Sequence, residues 1–428
     1  MYNIIAAILL LVTLAIFVIY TIRGGNTIVG IIILTIVWAI IGRVPFMTVL
    51  TDIFQKGPEN YGSAVSVVIF GTWFGRVLVE TGIAGSIIRK TVEFGGDKLL
   101  ATSILLIVVS SIIFAGSFGV GTMIAIGVIV LPILFSLGVP KHIGVVAFTM
   151  SYGAAMFINA VIFNNLRVVA EGFASAEYNA EYLKFGIPAM IIELLVVVAF
   201  LVVKLRKGKV HTWAAVAERM PEKNTPMISF LTPLLPVVLI LIGCPTIPAF
   251  LASMFYALLT TGKIKSYKGM CDVVQKSLHE GISDIGGVLG FLYTVVMFAP
   301  MAEMNAPIFQ AVLGDIQFNN LIVLAVIFTI IAPLALFRGP IFPWGAGTAV
   351  IAILTSMSTL PTMALFALIT CTTQAMGSSA DPTQSWNVWA LGYTKVELKQ
   401  YVKTSIFWCW LATALTMIWM LIVYLPQC

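Results

Sequence analysis

The chain has 428 residues, 60% of them apolar and 10% charged, and its mean hydropathy is +1.05. Soluble domains run near half apolar and a quarter charged, so this composition excludes a water-soluble enzyme. The net charge of +6 includes no basic arm that would bind nucleic acid. Cys244, Cys271, Cys371, Cys409 and Cys428 have no paired spacing, and with three His they support neither a disulfide framework nor a His/Cys metal site.

Apolar stretches fall at 3–22, 26–42, 61–80, 99–138, 142–170, 183–204, 228–244, 246–262, 281–302, 319–358, 361–380 and 402–425. Stretches of this length cross a bilayer as helices, so the expectation is an all-α polytopic membrane protein. The first lacks a basic leader and an A-x-A site and reads as a retained span. Two are too long for one span: 99–138 and 319–358 are each broken midway by Gly-rich text, Gly116 to Thr122 and Arg338 to Thr348.

Charge placement arbitrates. The loop 204–226, with Lys204, Arg206, Lys207, Lys209, Arg219 and Lys223, is the strongest cytoplasmic anchor, and 263–280 reads as a second solvated basic loop. Threading outward from the first loop, with both long stretches as re-entrant hairpins, gives ten spans and places 18 Lys and Arg inside against Arg43, Lys56 and Lys184 outside. Reading each stretch as two spans moves Arg23, Arg89, Lys90 and Lys98, and then Lys395, Lys399 and Lys403, to the outer face.

An internal repeat agrees. Glu80-Thr-Gly-Ile-Ala84 matches Glu303-Met-Asn-Ala-Pro307 at an offset of 223, and Gly119-x-Gly121-Thr122 matches Gly345-x-Gly347-Thr348 at 226. Residues 1–204 then form one repeat, 205–226 a cytoplasmic linker and 227–428 a second repeat, each with five transmembrane helices plus one re-entrant hairpin. Five is odd, so the repeats are inverted, the plan of many secondary transporters.

Candidate site residues follow from this plan. Each hairpin tip precedes a helix whose first amides are unpaired, which suits an anion. Gly119, Gly121, Thr122, Gly345, Gly347 and Thr348 are therefore expected to bind substrate, the alternative being a small-residue packing seam. Arg338 stands at mid-depth and could clamp a carboxylate through two parallel hydrogen bonds. The polar breaks that follow supply hard oxygens for cation or proton coupling: Ser151, Asn159, Ser378, Ser379 and Asp381, with Asn159, Ser378 and Asp381 as candidate Na+ ligands. Asp381 could instead be an ordinary helix-end Asp facing water.

Arg76 and Arg167 lie near span ends and are expected to snorkel to headgroups. Glu80 and Glu303 occupy equivalent positions and suit caps at the hairpin bases. Phe114, Phe118, Phe342 and Trp344 could line a pocket or simply pack. Glu193 stands isolated in its span and has no assigned role.

The whole pattern resembles the ion transporter superfamily, especially its gluconate, citrate, lactate and divalent-anion symporters. The resemblance rests on short paired spans, on Phe74 to Ala84 running through an amphipathic connector into Phe94-Gly-Gly-Asp97, and on the Gly-rich hairpin with its broken span. It departs from the family at two points: no Ser-Asn-Thr tip is present, and Ile158 to Asn165 replaces the Pro-His-Pro of gluconate carriers. The resemblance implies tip residues at Gly119 to Thr122 and Gly345 to Thr348, polar breaks at Ser151 to Asn159 and Ser378 to Asp381, and an elevator motion in a homodimer. The expected function is a non-enzymatic secondary transporter of a small organic anion, driven by Na+ or H+ with no other cofactor, in the lipid of a bacterial inner (plasma) membrane. A cation/proton antiporter that shuttles its ion at Asp381 is the alternative.

Overall fold

A computed structural model describes residues 2–96, 98–206, 225–313, 318–345 and 347–428. Lys207, Lys209, Arg219 and Lys223 of the expected linker, and Asp97 of the connector, lie outside the described residues. Every regular element among the described residues is helical.

The first half opens with α1 (Tyr2–Ile22), α2 (Thr27–Ile41) and the single turn α3 (Phe46–Thr48). A π-helical stretch, Val49–Gln55, leads into α4 (Lys56–Asn60), so the expected outer loop at 43–60 is mostly helix. Next come α5 (Gly62–Glu80), the connector α6 (Ile83–Gly95), α7 (Leu99–Gly116), α8 (Val120–Ser136), α9 (Lys141–Met156), α10 (Ala160–Arg167) and α11 (Ala180–Leu205).

The second half runs α12 (Leu235–Leu241), preceded by the 3-10 segment Met227–Leu234, then α13 (Thr246–Thr260), α14 (Tyr267–Met304), α15 (Ala306–Leu313) and α16 (Leu321–Ile331). A further 3-10 segment, Ala332–Arg338, kinked where Leu336 and Phe337 leave helical geometry, precedes α17 (Gly347–Ser356); α18 (Thr362–Thr372), α19 (Ser385–Thr394) and α20 (Leu398–Tyr424) complete it. The basic loop expected at 263–280 is corrected here, because the chain is helical from Tyr267 onward as the start of the 38-residue α14. Ser266 begins that helix by accepting from Gly269 N, which satisfies one of its free amides.

Asparagine caps start other helices. Asn26 accepts from Val29 N, Asn179 from Glu181 N and Tyr182 N, and Asn320 from Val323 N. Among the described residues seven helices are long and apolar enough to cross a bilayer, or eight if the bent pair α9 and α10 counts as one span. Ten were expected. Part of the difference is length: α2, Met227–Leu241 and α13 are apolar but 15 residues each, about 22 Å of helix against a core of about 30 Å.

Large apolar side chains cover the outer faces: Ile4, Ile8 and Ile16 of α1, Ile327 and Ile330 of α16, and Phe407, Ile418 and Ile422 of α20 are all exposed. Such faces are stable against lipid tails and not against water, which makes this a multi-pass membrane fold. Inside, α14 packs along α5 and α2, and α11 along α9 and α20. Gly281 permits the first contact, since a Cβ there would fall 3.1 Å from Trp73 N.

The two polar breaks differ in form. The α9–α10 pair bends by 69°, where Asn159 caps α10 by accepting from Val161 N and Ile162 N. The matching stretch after α18 stays helical as a π turn, Thr373–Ser378, and the chain leaves the helix only at Asp381. A wider turn accommodates one extra residue without unwinding, which hydropathy and polarity alone do not foretell.

Candidate functional site

The first Gly-rich break is short. The chain leaves α7 at Gly116, passes Ser117 and Phe118, and enters α8 after Gly119, whose φ of +108° lies in a region that side chains avoid. Against the first turn of α8 sits an ion pair that connects α5 to α14. Arg76 Nε donates to Asp284 Oδ2 at 2.6 Å and Nη2 to Oδ1 at 2.7 Å, while Nη1 reaches Glu280 Oε2 at 3.1 Å. A Cβ at Gly121 would fall 1.9 Å from Arg76 Nη2 and 2.1 Å from Asp284 Oδ2, so only glycine leaves room for the pair. A carboxylate at the start of a helix is stabilised by the helix dipole, and here Asp284 supplies it from within the chain.

This corrects the reading of Arg76. The guanidinium does not snorkel outward, because two acidic groups on the neighbouring α14 hold it inside; its side chain is 18% exposed and that of Asp284 14%. Nothing in local sequence spacing links the pair, which is 208 residues apart. The available signal was Asp284 itself, an ionisable residue in an apolar stretch.

Each partner should be costly to remove alone. Arg76→Leu is expected to lower stability by about 2–3 kcal/mol, since it leaves Asp284 mostly buried and unpaired, Asp284→Leu by less because Arg76 keeps Glu280, and the double variant should regain most of the larger loss. Unfolding of the four proteins in detergent measures the coupling, and additive losses would mean that the pair contributes nothing.

The second break is built around Asp381, which is wholly buried. Phe337 N and Arg338 N donate to its two carboxylate oxygens at 2.9 and 3.2 Å, and Thr383 N and Oγ1 donate to Oδ1 at 2.9 and 2.8 Å. Phe337 and Arg338 have φ of +57° and +54° and are thus left-handed non-glycine residues. That conformation persists only where neighbours over-determine it, and the Asp381 carboxylate does so. The helix-end Asp facing water is corrected accordingly.

The remaining expected residues are distributed as follows. Thr348 Oγ1 donates to Pro343 O at 2.7 Å, and Thr122 Oγ1 to Phe118 O at 3.4 Å. Gly345 and Gly347 close against the tip's own backbone at Arg338 O and Phe342. Ser151 Oγ bonds back to Phe148 O, and Ser378 Oγ donates to Gln374 Oε1. Asn159 Nδ2 ties α10 to the end of α7 through Phe114 O and Ser117 O, both at 3.0 Å. Ser379 Oγ donates to Glu193 Oε1 at 2.7 Å, a pairing across 186 residues. Glu80 pairs with Lys276 at 3.0 Å, and Glu303 accepts from Glu171 N. No group of three or more His, Cys, Asp or Glu that could hold a metal occurs among the described residues.

Between the two breaks lies a cavity of about 460 Å³ lined by Phe118 and Val120 of the first and Arg338 and Trp344 of the second, together with Asn165, Asp284, Gln384 and Trp386. Among the described residues the Arg338 side chain makes one long hydrogen bond, Nη1 to Trp344 O at 3.4 Å, which leaves most of its five donors unpaired beside the cavity it lines. Asn165 is buried, and its Oδ1 has no protein partner. The cavity therefore offers a planar cationic fork, a carboxylate already shared with Arg76, and two indole walls. Of the four tip aromatics only Phe118 and Trp344 line it; Phe114 packs on Tyr152 and Phe342 on Trp344. A larger cavity of about 590 Å³ lies elsewhere, between Asp52, Tyr61, Arg167 and Glu171, and touches neither break.

No protein-family model matches the chain. Over 133 residues it is 31% identical to a gluconate permease of Zymomonas mobilis subsp. mobilis, a match covering 31% of this chain and 28% of the permease's length. Its fold is similar to that of the YdaH transporter of Alcanivorax borkumensis, with a TM-score of 0.54 over 89% of this chain and 88% of that one. It is also similar to MtrF of Neisseria gonorrhoeae, from a class of antimetabolite efflux pumps, with a TM-score of 0.53 over 87% and 84%. Both structures are 12% identical to this chain, so the likeness concerns the fold alone.

Proposed function

We propose that this protein is a secondary active transporter of a small organic anion, a hydroxy acid or a related carboxylate, coupled to Na+ or H+. The observation that carries the reading is Arg338, whose unpaired guanidinium donors line a cavity bounded by both helix breaks. A guanidinium at a site partly closed to water pairs with a carboxylate through two parallel hydrogen bonds. Trp344 and Trp386 would cover the carbon chain of the substrate. A volume of about 460 Å³ is in the usual range for small-molecule sites.

The 133-residue likeness to a gluconate permease supports a carboxylate and favours the gluconate branch of the resemblance. The fold likeness to two transporters supports movement across the membrane over catalysis. In this reading the two helix–break–helix segments are re-entrant hairpins of inverted repeats, which slide with the substrate in an elevator motion within a homodimer. Asp381 then acts mainly as the fixed anchor of the Arg338 tip, a role that argues against its shuttling an ion in an antiporter.

The test is uptake of radiolabelled hydroxy and dicarboxylic acids into proteoliposomes under an imposed Na+ or proton gradient. Accumulation of at least one acid is expected. Failure of every carboxylate to accumulate or exchange, with proton movement on adding Na+ alone, would replace this reading with the cation/proton antiporter.

A further inference from the structure

Glu193 lies in the middle of α11, and none of its side chain is exposed. Oε1 accepts from Ser379 Oγ at 2.7 Å, while Oε2 has no hydrogen-bond partner among the described residues. Among the described residues no Lys, Arg or His lies within ion-pair distance of it. A carboxylate buried without a counter-ion is so costly that the group must hold a proton or a bound cation.

The surroundings decide between the two. A small hard cation needs several oxygens with free lone pairs. The single Ser379 hydroxyl proton is directed at Glu193 Oε1, with Gln374 O the longer alternative at 3.1 Å, and Gln374 Oε1 already accepts from Ser378 Oγ. Gln374 Nε2, a buried donor without a partner among the described residues, would repel a cation. A proton, unlike a cation, requires no further ligand set: it removes a buried charge that no Lys, Arg or His among the described residues offsets.

The position also has consequences for the cavity. Ser379 directly follows the π turn at 373–378, and Asp381, two residues on, holds the backbone of Phe337 and Arg338. Tyr401 OH donates to Ser379 O at 2.7 Å from α20, and a Cβ at Gly153 of α9 would meet Ser379 Oγ at 1.8 Å, so Ser379 is gripped on all sides. π turns can shift their register at modest cost and often mark functional positions.

We propose that Glu193 is the proton-binding site of this protein, and that its protonation is transmitted through Ser379 and Asp381 to the Arg338 wall of the cavity. The coupling role rests on the transport reading above; the binding of the proton does not.

The titratable groups facing Glu193 are few. Cys371 of α18 and Cys409 of α20 are near enough to interact with it, Tyr401 of α20 reaches Ser379, and α9 brings Tyr152. Helices α7 and α12, also packed on α11, bring no titratable residue. Of the charged or basic groups on the packed helices, Lys141 and His142 stand at the start of α9, Lys399 and Lys403 are exposed at the start of α20, and Lys204 lies in the last turn of α11, about 16 Å along the axis.

Two measurements on the purified full-length protein test this. The first is the infrared carboxyl difference spectrum between acid and alkaline buffer, which needs no substrate. Wild type should show a protonated-carboxyl band that disappears on deprotonation, and Glu193→Gln should lose it; a band that persists in the variant, or is absent from wild type, overturns the proposal. The second is flux in proteoliposomes, where Glu193→Gln should abolish accumulation driven by a proton gradient and make downhill flux indifferent to pH. Accumulation at the wild-type level overturns the coupling. If Glu193→Gln fails to fold, Ser379→Ala takes its place, and the midpoint at which the band titrates should move; an unmoved midpoint overturns the link to Ser379. If wild type moves no organic anion at all, the transport reading fails while the band still decides the fate of Glu193.

Discussion

Arg338→Lys is expected to weaken binding of the transported acid by about tenfold or more, on the order of 1.4 kcal/mol, with the melting temperature nearly unchanged. Lysine keeps the charge and loses the planar fork, so a large effect isolates the two-point contact with a carboxylate. Arg338→Gln, which also loses the charge, should weaken binding by a further factor of about ten or more. The left-handed backbone at Arg338 makes this comparison clean, because Arg, Lys and Gln all bear a Cβ and suffer the same strain at φ of +54°. After Arg338→Gln, a neutral analogue lacking the carboxylate should lose its disadvantage relative to the acid. Substrate Kd and melting temperature are measured on the same preparations; wild-type affinity with lowered stability would retire Arg338 as the anchor.

Asp381→Ala should produce the largest loss of stability of any single change at the site, about 3 kcal/mol or more. Three backbone amides, of Phe337, Arg338 and Thr383, lose their acceptor inside the protein, and each buried unpaired amide costs about 1–3 kcal/mol. The left-handed pair at 337 and 338 also loses the contacts that hold it, and its strain of roughly 1–2 kcal/mol per residue is free to relax. Thermal unfolding should show the loss, and amide exchange should rise at residues 336–345 ahead of the rest of the chain. Asp381→Asn keeps one acceptor oxygen and should fall between the two. If Asp381→Asn instead keeps full stability and wild-type exchange while transport loses its ion dependence, Asp381 is the coupling group and not the anchor.

Both expectations begin from residues that the sequence singles out; Arg338 keeps the role expected of it, while Asp381 becomes an anchor of backbone amides and not an ion ligand. Arg338 and Asp381 stand out as ionisable residues in apolar text, and the structure links them through the Arg338 amide. The paired Gly-x-Gly-Thr motifs stand at the starts of α8 and α17, next to the two helix breaks. Their glycines and threonines, however, serve close packing and tip-internal hydrogen bonds, and the cavity wall is formed by neighbours such as Phe118, Asn165 and Trp344.

The sequence by itself determines that this is an all-helical membrane chain, that its helices are interrupted at the two Gly-rich stretches, and which side chains are too polar to be there without a reason. Those properties are local: hydropathy summed along one helix, a glycine or proline at a break, an asparagine at a cap. The helical start of α14 at Tyr267 and the π turn at Thr373 are also local in form but depend on neighbours: Ser277 of α14 is bonded by Trp73 of α5, and Ser379, just past the turn, by Glu193 of α11. Partner choice belongs wholly to the tertiary structure. Arg76 finds Asp284 and Ser379 finds Glu193 across about half the chain, because in a low-dielectric interior a charge or hydroxyl must meet whatever complementary group the packing of helices brings within about 3 Å, and no spacing in the sequence encodes that encounter.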